Sequence, residues 1–204
     1  RARFRTWIER RADPDSATLA AEDVWVLDGE QVVATEVLRW RVYPATDVGR
    51  AIDVNWTITA KGDALAVAGR QKAGYGGFML RFPNLPQTAI TTNEGPQPTD
   101  ANLKPCGWAD LSSCFAKDEH RSGAAIFLHP THPGMPVGWT LRHYGFLNPA
   151  WPGVTAAVLK PDEPITLRYR LWVHLGDAAT GGVRLAYEAY IREPWAHVVQ
   201  RYSF

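Results

Sequence analysis

The sequence predicts an all-β protein: one antiparallel β-sandwich domain over residues 1–204, closed by a single short C-terminal helix. Three observations predict it. The chain carries 9 Trp, 7 Tyr and 7 Phe, residues that fit pleated strands. It is punctuated by 17 Gly and 15 Pro, which favour turns. Several segments alternate apolar and polar residues with the period of a half-buried strand. A chain of 204 residues buries about 70% of the surface it exposes when unfolded, so one core suffices without a disulfide scaffold.

Strand-like runs open the chain at Phe4 to Ile8, Val24 to Leu27 and Gln31 to Val33. Asp28-Gly29 predicts a tight hairpin, because both central positions of such a turn favour positive φ. From Glu36 to Tyr43, Leu38, Trp40 and Val42 share one face and Arg39, Arg41 and Tyr43 the other. Ile52, Val54, Trp56 and Ile58 then point inward, with Asp53, Asn55, Thr57 and Thr59 outward. Gly74 to Gly77 leads into a strand from Phe78 to Phe82. Residues 83–107 lack periodicity and are rich in Pro, Asn and Thr; so long an irregular stretch is usually functional or disordered. Strands resume at Ala124 to Leu128 and Gly138 to Arg142. Ile165 to Leu175 alternates most cleanly, with Ile165, Leu167, Tyr169, Leu171 and Val173 on one face and Thr166, Arg168, Arg170, Trp172 and His174 on the other. Only residues 183–192, VRLAYEAYIR, read as a helix.

Several function classes are excluded. Lys plus Arg number 22 against 21 Asp plus Glu, a net charge of +1, so there is no electrostatic case for nucleic acid. No apolar run approaches the ~18 residues of a membrane helix, and the start RARFRTWIERR lacks a signal-peptide core. The motifs G-x-S-x-G, H-E-x-x-H and G-x-x-x-x-G-K-[ST] do not occur. Cys106 and Cys114 have no C-x-x-C partner, which weakens zinc-ribbon and redox readings. They bridge one loop or stay as two thiols, and the compartment stays open with them.

The densest polar and aromatic cluster is His129-Pro130-Thr131-His132-Pro133, followed by Trp139, Arg142, His143 and Tyr144. It reads as a substrate or metal pocket at one sheet edge, or as a proline-stiffened turn whose histidines cap backbone groups. His129 and His132 are the candidate ligands of a divalent metal, although two prolines forbid the helix that would align them. Lys72 and Tyr75 flank the Gly-rich segment and Arg81 follows it; glycines there admit a ligand or make a bulged hairpin. Glu94, in Thr92-Asn93-Glu94-Gly95, suits a general base or metal ligand, or a solvated turn. Asp110, just after Trp108, has the same ambiguity. A Trp beside polar residues suits a sugar, whose apolar face stacks on indole, although most of the nine belong to the core.

These segments occur in the order of a known pattern. Lys72-Ala-Gly-Tyr-Gly-Gly-Phe-Met-Leu-Arg81, Thr92-Asn-Glu-Gly95 and Gly107-Trp-Ala-Asp110 come first. Ala125-Ile-Phe-Leu-His-Pro-Thr-His-Pro133, Trp139-Thr-Leu-Arg-His-Tyr-Gly145, Asn148-Pro149 and Leu167 to Asp177 follow. Together, over roughly residues 35 to 190, they resemble the bacterial family of unknown function often labelled "methane oxygenase PmoA". A particulate methane monooxygenase subunit spans the membrane, and no segment here is long enough to do so. The resemblance implies instead a β-supersandwich similar to the galactose mutarotase-like fold, and a carbohydrate substrate. Its pattern has Asn where His132 stands and Asp where His143 stands, so His129, Arg142 and Tyr144 match it better. Its upstream His-rich segment has no counterpart from Arg1 onward. N-terminal strands are therefore expected to be missing, removed, supplied by another chain or lost with their chemistry.

The leading expectation is a carbohydrate-active domain that epimerises, hydrolyses or eliminates on a sugar or keto-sugar. In it His129, Glu94 and Tyr144 are catalytic, with Lys72, Tyr75, Arg81, Trp108, Trp139, Arg142 and His143 binding substrate. One alternative is a non-catalytic carbohydrate-binding module or subunit. The other is an assembly chain that pairs open sheet edges with a partner chain or a second copy.

Overall fold

Four long strands, β1 (Ala2–Asp13), β2 (Ser16–Leu27), β3 (Gln31–Val42) and β4 (Gly49–Ala60), form an antiparallel meander at the start of the chain. The structure, a computed structural model, describes residues 1–70, 74–115 and 120–193. Short strands follow: β5 (Leu65–Val67), β6 (Leu80–Arg81), β7 (Ala89–Thr92), β8 (Gly95–Gln97) and β9 (Ala101–Pro105). Then come β10 (Trp108–Cys114), β11 (Arg121–Leu128), β12 (Gly138–Arg142), β13 (Phe146–Pro149), β14 (Ala157–Leu159), β15 (Ile165–Leu175) and the helix α1 (Val183–Arg192).

A nine-stranded sheet runs in the order β1-β2-β3-β4-β15-β11-β10-β7-β8. Facing it are a four-stranded sheet, β6-β13-β12-β9, and the pair β14-β5. The chain is thus an antiparallel all-β sandwich with one short helix. No helix among the described residues is long and apolar enough to cross a membrane.

Alternation decides which residues meet between the layers. Val54 and Ile58 of β4, Leu167, Tyr169 and Leu171 of β15, Ile126 and Leu128 of β11, and Leu111 of β10 bury one face of the large sheet. Trp139, Leu141 and Leu147 of the smaller sheet close on them. Each such side chain stabilises the fold by about 1.5–3 kcal/mol. The opposite face carries α1, whose Val183, Ala186, Tyr187 and Tyr190 follow helical spacing and pack on Trp108, Ala125 and Phe127. Arg170 ties the helix end down: its guanidinium donates to both carboxylate oxygens of Asp53 (2.5 and 2.9 Å) and of Glu193 (2.5 and 2.9 Å).

The facing sheets reach β10 and β4 through β13 and β14, and the inner face of β1 and β2 stays open. There Phe4, Trp7 and Leu19 are 59%, 48% and 47% exposed. β1 is an edge strand with two register shifts and with Arg3, Arg5, Arg10 and Arg11 along it, features that discourage another strand from pairing.

Three local expectations are corrected. Asp28 to Glu30 form a three-residue loop with positive φ only at Gly29, not a two-residue turn. The stretch 83–107 holds the three strands β7, β8 and β9, each too short to show a period. Only Leu80 and Arg81 of the predicted strand 78–82 pair in the ladder. Neither cysteine forms a disulfide: Cys114 ends β10 and Cys106 lies two residues before it begins, and the strand between alone spans roughly 20 Å at the rise of an extended chain.

Candidate functional site

Strand alternation places Ala34, Glu36, Leu38 and Trp40 of β3 on the inner face, so a carboxylate stands in an otherwise apolar row. Glu36 is 8% exposed. Trp25, opposite Ala34, and Trp56, opposite Leu38, flank it on the neighbouring strands. Both indole N–H groups donate to the same oxygen, Glu36 Oε2, at 2.8 and 2.7 Å. Charge-assisted bonds of this kind hold a carboxylate that burial would otherwise penalise. Val33, Leu65 and Val67 complete a cavity of about 410 Å³ over this triad, with Arg1 and Ala2 beside it. The site offers indole surface, aliphatic walls and one oriented carboxylate. That combination suits a ligand with an apolar face and hydroxyl groups.

Five of the sequence-predicted residues come together elsewhere, at one end of the smaller sheet. Arg142 donates to the Ala101 and Leu141 carbonyls (2.6 and 2.9 Å), to Asn102 Oδ1 (2.5 Å) and to the Tyr75 hydroxyl (3.1 Å). His143 rests against Asp100, which accepts from its backbone N–H at 2.8 Å and lies 2.9 Å from Nδ1. Tyr75 and Tyr144 both pack on Phe146, and the Arg81 guanidinium lies 4.7 Å from the centre of that ring. With Arg142 so fully engaged, this cluster is a brace between β12 and β9 rather than an open pocket.

The other predicted residues do not join it. Trp139 is fully buried, its N–H given to the Cys106 carbonyl (2.8 Å), and Trp108 lies under α1; both are core. Glu94 is exposed in the β7–β8 turn and accepts from Lys104 Nζ at 2.6 Å. His129 packs edge-on to Tyr190, with Nδ1 2.7 Å from the Thr131 hydroxyl. Its pKa is lowered by burial and by Arg168 and Arg170. His132 instead packs on Tyr169, within the core between the sheets, with Nδ1 2.9 Å from the Pro133 carbonyl. The two rings part to opposite sides of the large sheet and do not fit a shared metal. Among the described residues, no group of three or more His, Cys, Asp or Glu is arranged to hold one. Lys72 lies outside the described residues.

Sequence reasoning missed two features. Glu36 carried a signal, since period 2 puts it in the row of Leu38 and Trp40. The other is the partner of Asp110, a carboxylate already singled out: it meets His174 beneath the loop before α1 (Nε2 to Oδ1, 2.8 Å). Gly123 and Gly181 make room for that imidazole: a Cβ at either would fall 2.8 and 2.1 Å from ring atoms of His174.

No curated protein matches the chain, and no solved structure does. A family profile covers residues 1–188, from the exposed edge strand β1 through the sandwich and into α1. The chain belongs to that family, DUF6807, a family of unknown function.

Proposed function

We propose that this protein binds carbohydrate in the inner-face cavity over Glu36. One observation carries the reading: a buried carboxylate held by two indole N–H groups inside a tryptophan-walled cavity. A pyranose ring would lay its apolar face against Trp25 or Trp56 while its hydroxyls donate to Glu36 Oε1. The likeness of the sequence to the PmoA-labelled family, and through it to galactose mutarotase-like sandwiches, supports a sugar ligand by association. Binding is favoured over turnover because the expected acid and base, His129 and Glu94, are engaged with Thr131 and Lys104.

The test is calorimetry and tryptophan fluorescence against a panel of neutral and amino monosaccharides and short oligosaccharides. Micromolar-to-millimolar binding that quenches emission, releases no product and falls at least tenfold in Trp56→Ala is expected. A panel with no binder, or affinity untouched by Trp56→Ala, overturns the reading. Turnover of a bound sugar transfers the site to the epimerase, hydrolase or lyase alternative.

A further inference from the structure

The cavity over Glu36 has two unlike sides. The large sheet supplies Trp25, Trp56 and the Glu36 carboxylate, and the facing strand β5 supplies Leu65 and Val67. Glu36 is more than nine-tenths buried, and both indole N–H groups are spent on its Oε2. Oε1 takes no hydrogen bond from a described residue and stays accessible from the cavity. Arg1 stands exposed beside the cavity and forms no ion pair with Glu36. A ligand spanning the cavity therefore meets a carboxylate oxygen on the sheet side and aliphatic carbon on the β5 side.

That asymmetry selects among sugars. Hydroxyls lose their water on entering, and each one left without a partner opposes binding. A hexopyranose carries hydroxyls around its whole ring, so a pose that gives some to Glu36 turns others towards Leu65 and Val67, whose side chains offer no partner. Replacing the exocyclic hydroxymethyl by methyl removes one such hydroxyl and leaves a group that gains from aliphatic contact. A ligand without any hydroxyl would fail in the opposite way, leaving Oε1 covered with no donor. A volume of about 410 Å³ is small for a ligand pocket and suits one ring rather than a chain. We propose that the bound sugar is a 6-deoxyhexose, its ring hydroxyls given to Glu36 and its methyl group to Leu65 and Val67. This rests on the carbohydrate reading above and names its ligand class.

The experiment is calorimetry on the full chain with 6-deoxyglucose, fucose and rhamnose, each against its parent hexose of the same hand. An apolar pocket disfavours an added hydroxyl by up to about a hundredfold. At least one 6-deoxy sugar is expected to bind ten times or more tighter than its parent. Leu65→Asn and Val67→Thr each bring a polar group to the β5 side, and in at least one of them that ratio falls to within threefold of one. Equal or weaker binding of the deoxy sugars overturns the methyl assignment and leaves the carbohydrate reading standing. A preference that persists in both variants also overturns it. Binding of neither class removes the carbohydrate reading and this assignment together. The wild-type ratio alone decides the matter if the variants do not fold.

Discussion

His174 Nε2 lies 2.8 Å from Asp110 Oδ1, and neither side chain is exposed at all. The two residues are far apart in the chain and meet only because β15 and β10 both flank β11. The other ring nitrogen of His174 lies 3.1 Å from the Leu175 carbonyl. Burial works against a charged imidazole here, but the hydrogen bond and charge of Asp110 outweigh it and raise the pKa of His174. Burial raises the pKa of Asp110 as well, against the pull of His174. His174→Ala, which strands a buried carboxylate, is expected to cost about 3–5 kcal/mol. The double change Asp110→Val/His174→Leu should recover at least half of that. Urea unfolding measures both, and a single-variant loss under about 1 kcal/mol refutes the role.

His132 is held neutral. Burial lowers its pKa from 6.5 to about 4, the Pro133 carbonyl opposing only part of the shift, and Nε2 has no partner. An unfolded chain takes up a proton near pH 6.5, whereas the folded one resists until about 4. Stability is thus complete above pH 6.5 and declines as pH falls through 4, by ~3 kcal/mol in all from this group. His132→Phe should flatten the profile over that window. Urea midpoints measured at neutral pH and near pH 4 in both proteins provide the check; an unchanged pH slope speaks against it.

Arg142 spends its guanidinium on two carbonyls, an amide oxygen and a hydroxyl in different directions. A lysine keeps the charge but not the planar fork. Arg142→Lys should therefore destabilise the protein by about 1–3 kcal/mol, close to the effect of Arg142→Ala. If lysine is as good as arginine in thermal unfolding, the brace is electrostatic and not geometric.

Glu36 offers a finer comparison. Glu36→Gln retains an oxygen for the two indole donors, while Glu36→Ala leaves both without an acceptor. Alanine should lower stability by about 2 kcal/mol and glutamine by less than half that. In a chain of this size 1 kcal/mol moves Tm by roughly 2–4 °C, so the two variants are separable by melting. Identical melting temperatures would mean that the indoles find other partners.

Long strands were legible because each buries one face: β3, β4 and β15 show their inner rows as Leu38 and Trp40, Val54 to Ile58, and Leu167 to Leu171. The helix was legible for the same reason, its apolar residues falling at helical spacing over residues 183–192. β7, β8 and β9 were not, since three to five residues interrupted by Pro96 carry no period. None of the residues singled out beforehand lines the cavity over Glu36, and their convergence elsewhere was legible only in part. Arg142, His143 and Tyr75 do converge, but on Asp100 and Asn102, whose part depends on how β9 lies against β12. Trp108 and Trp139 read as pocket residues by composition, and packing claimed them. Glu36 was visible as an acid in an apolar row, whereas its meeting with Trp25 depends on the register of a hairpin.

The position of β15 between β4 and β11 sets an order of events during synthesis. β1 to β4 emerge first and pair by short connections, so the meander can assemble locally. The inner edge of β4 then waits, its amides and carbonyls unsatisfied, until Ile165 to Leu175 leaves the ribosome. For that interval the nascent protein exposes a backbone template that its finished form pairs with β15. Folding yield should therefore respond to translation speed and chaperone supply more than to changes on the finished surface.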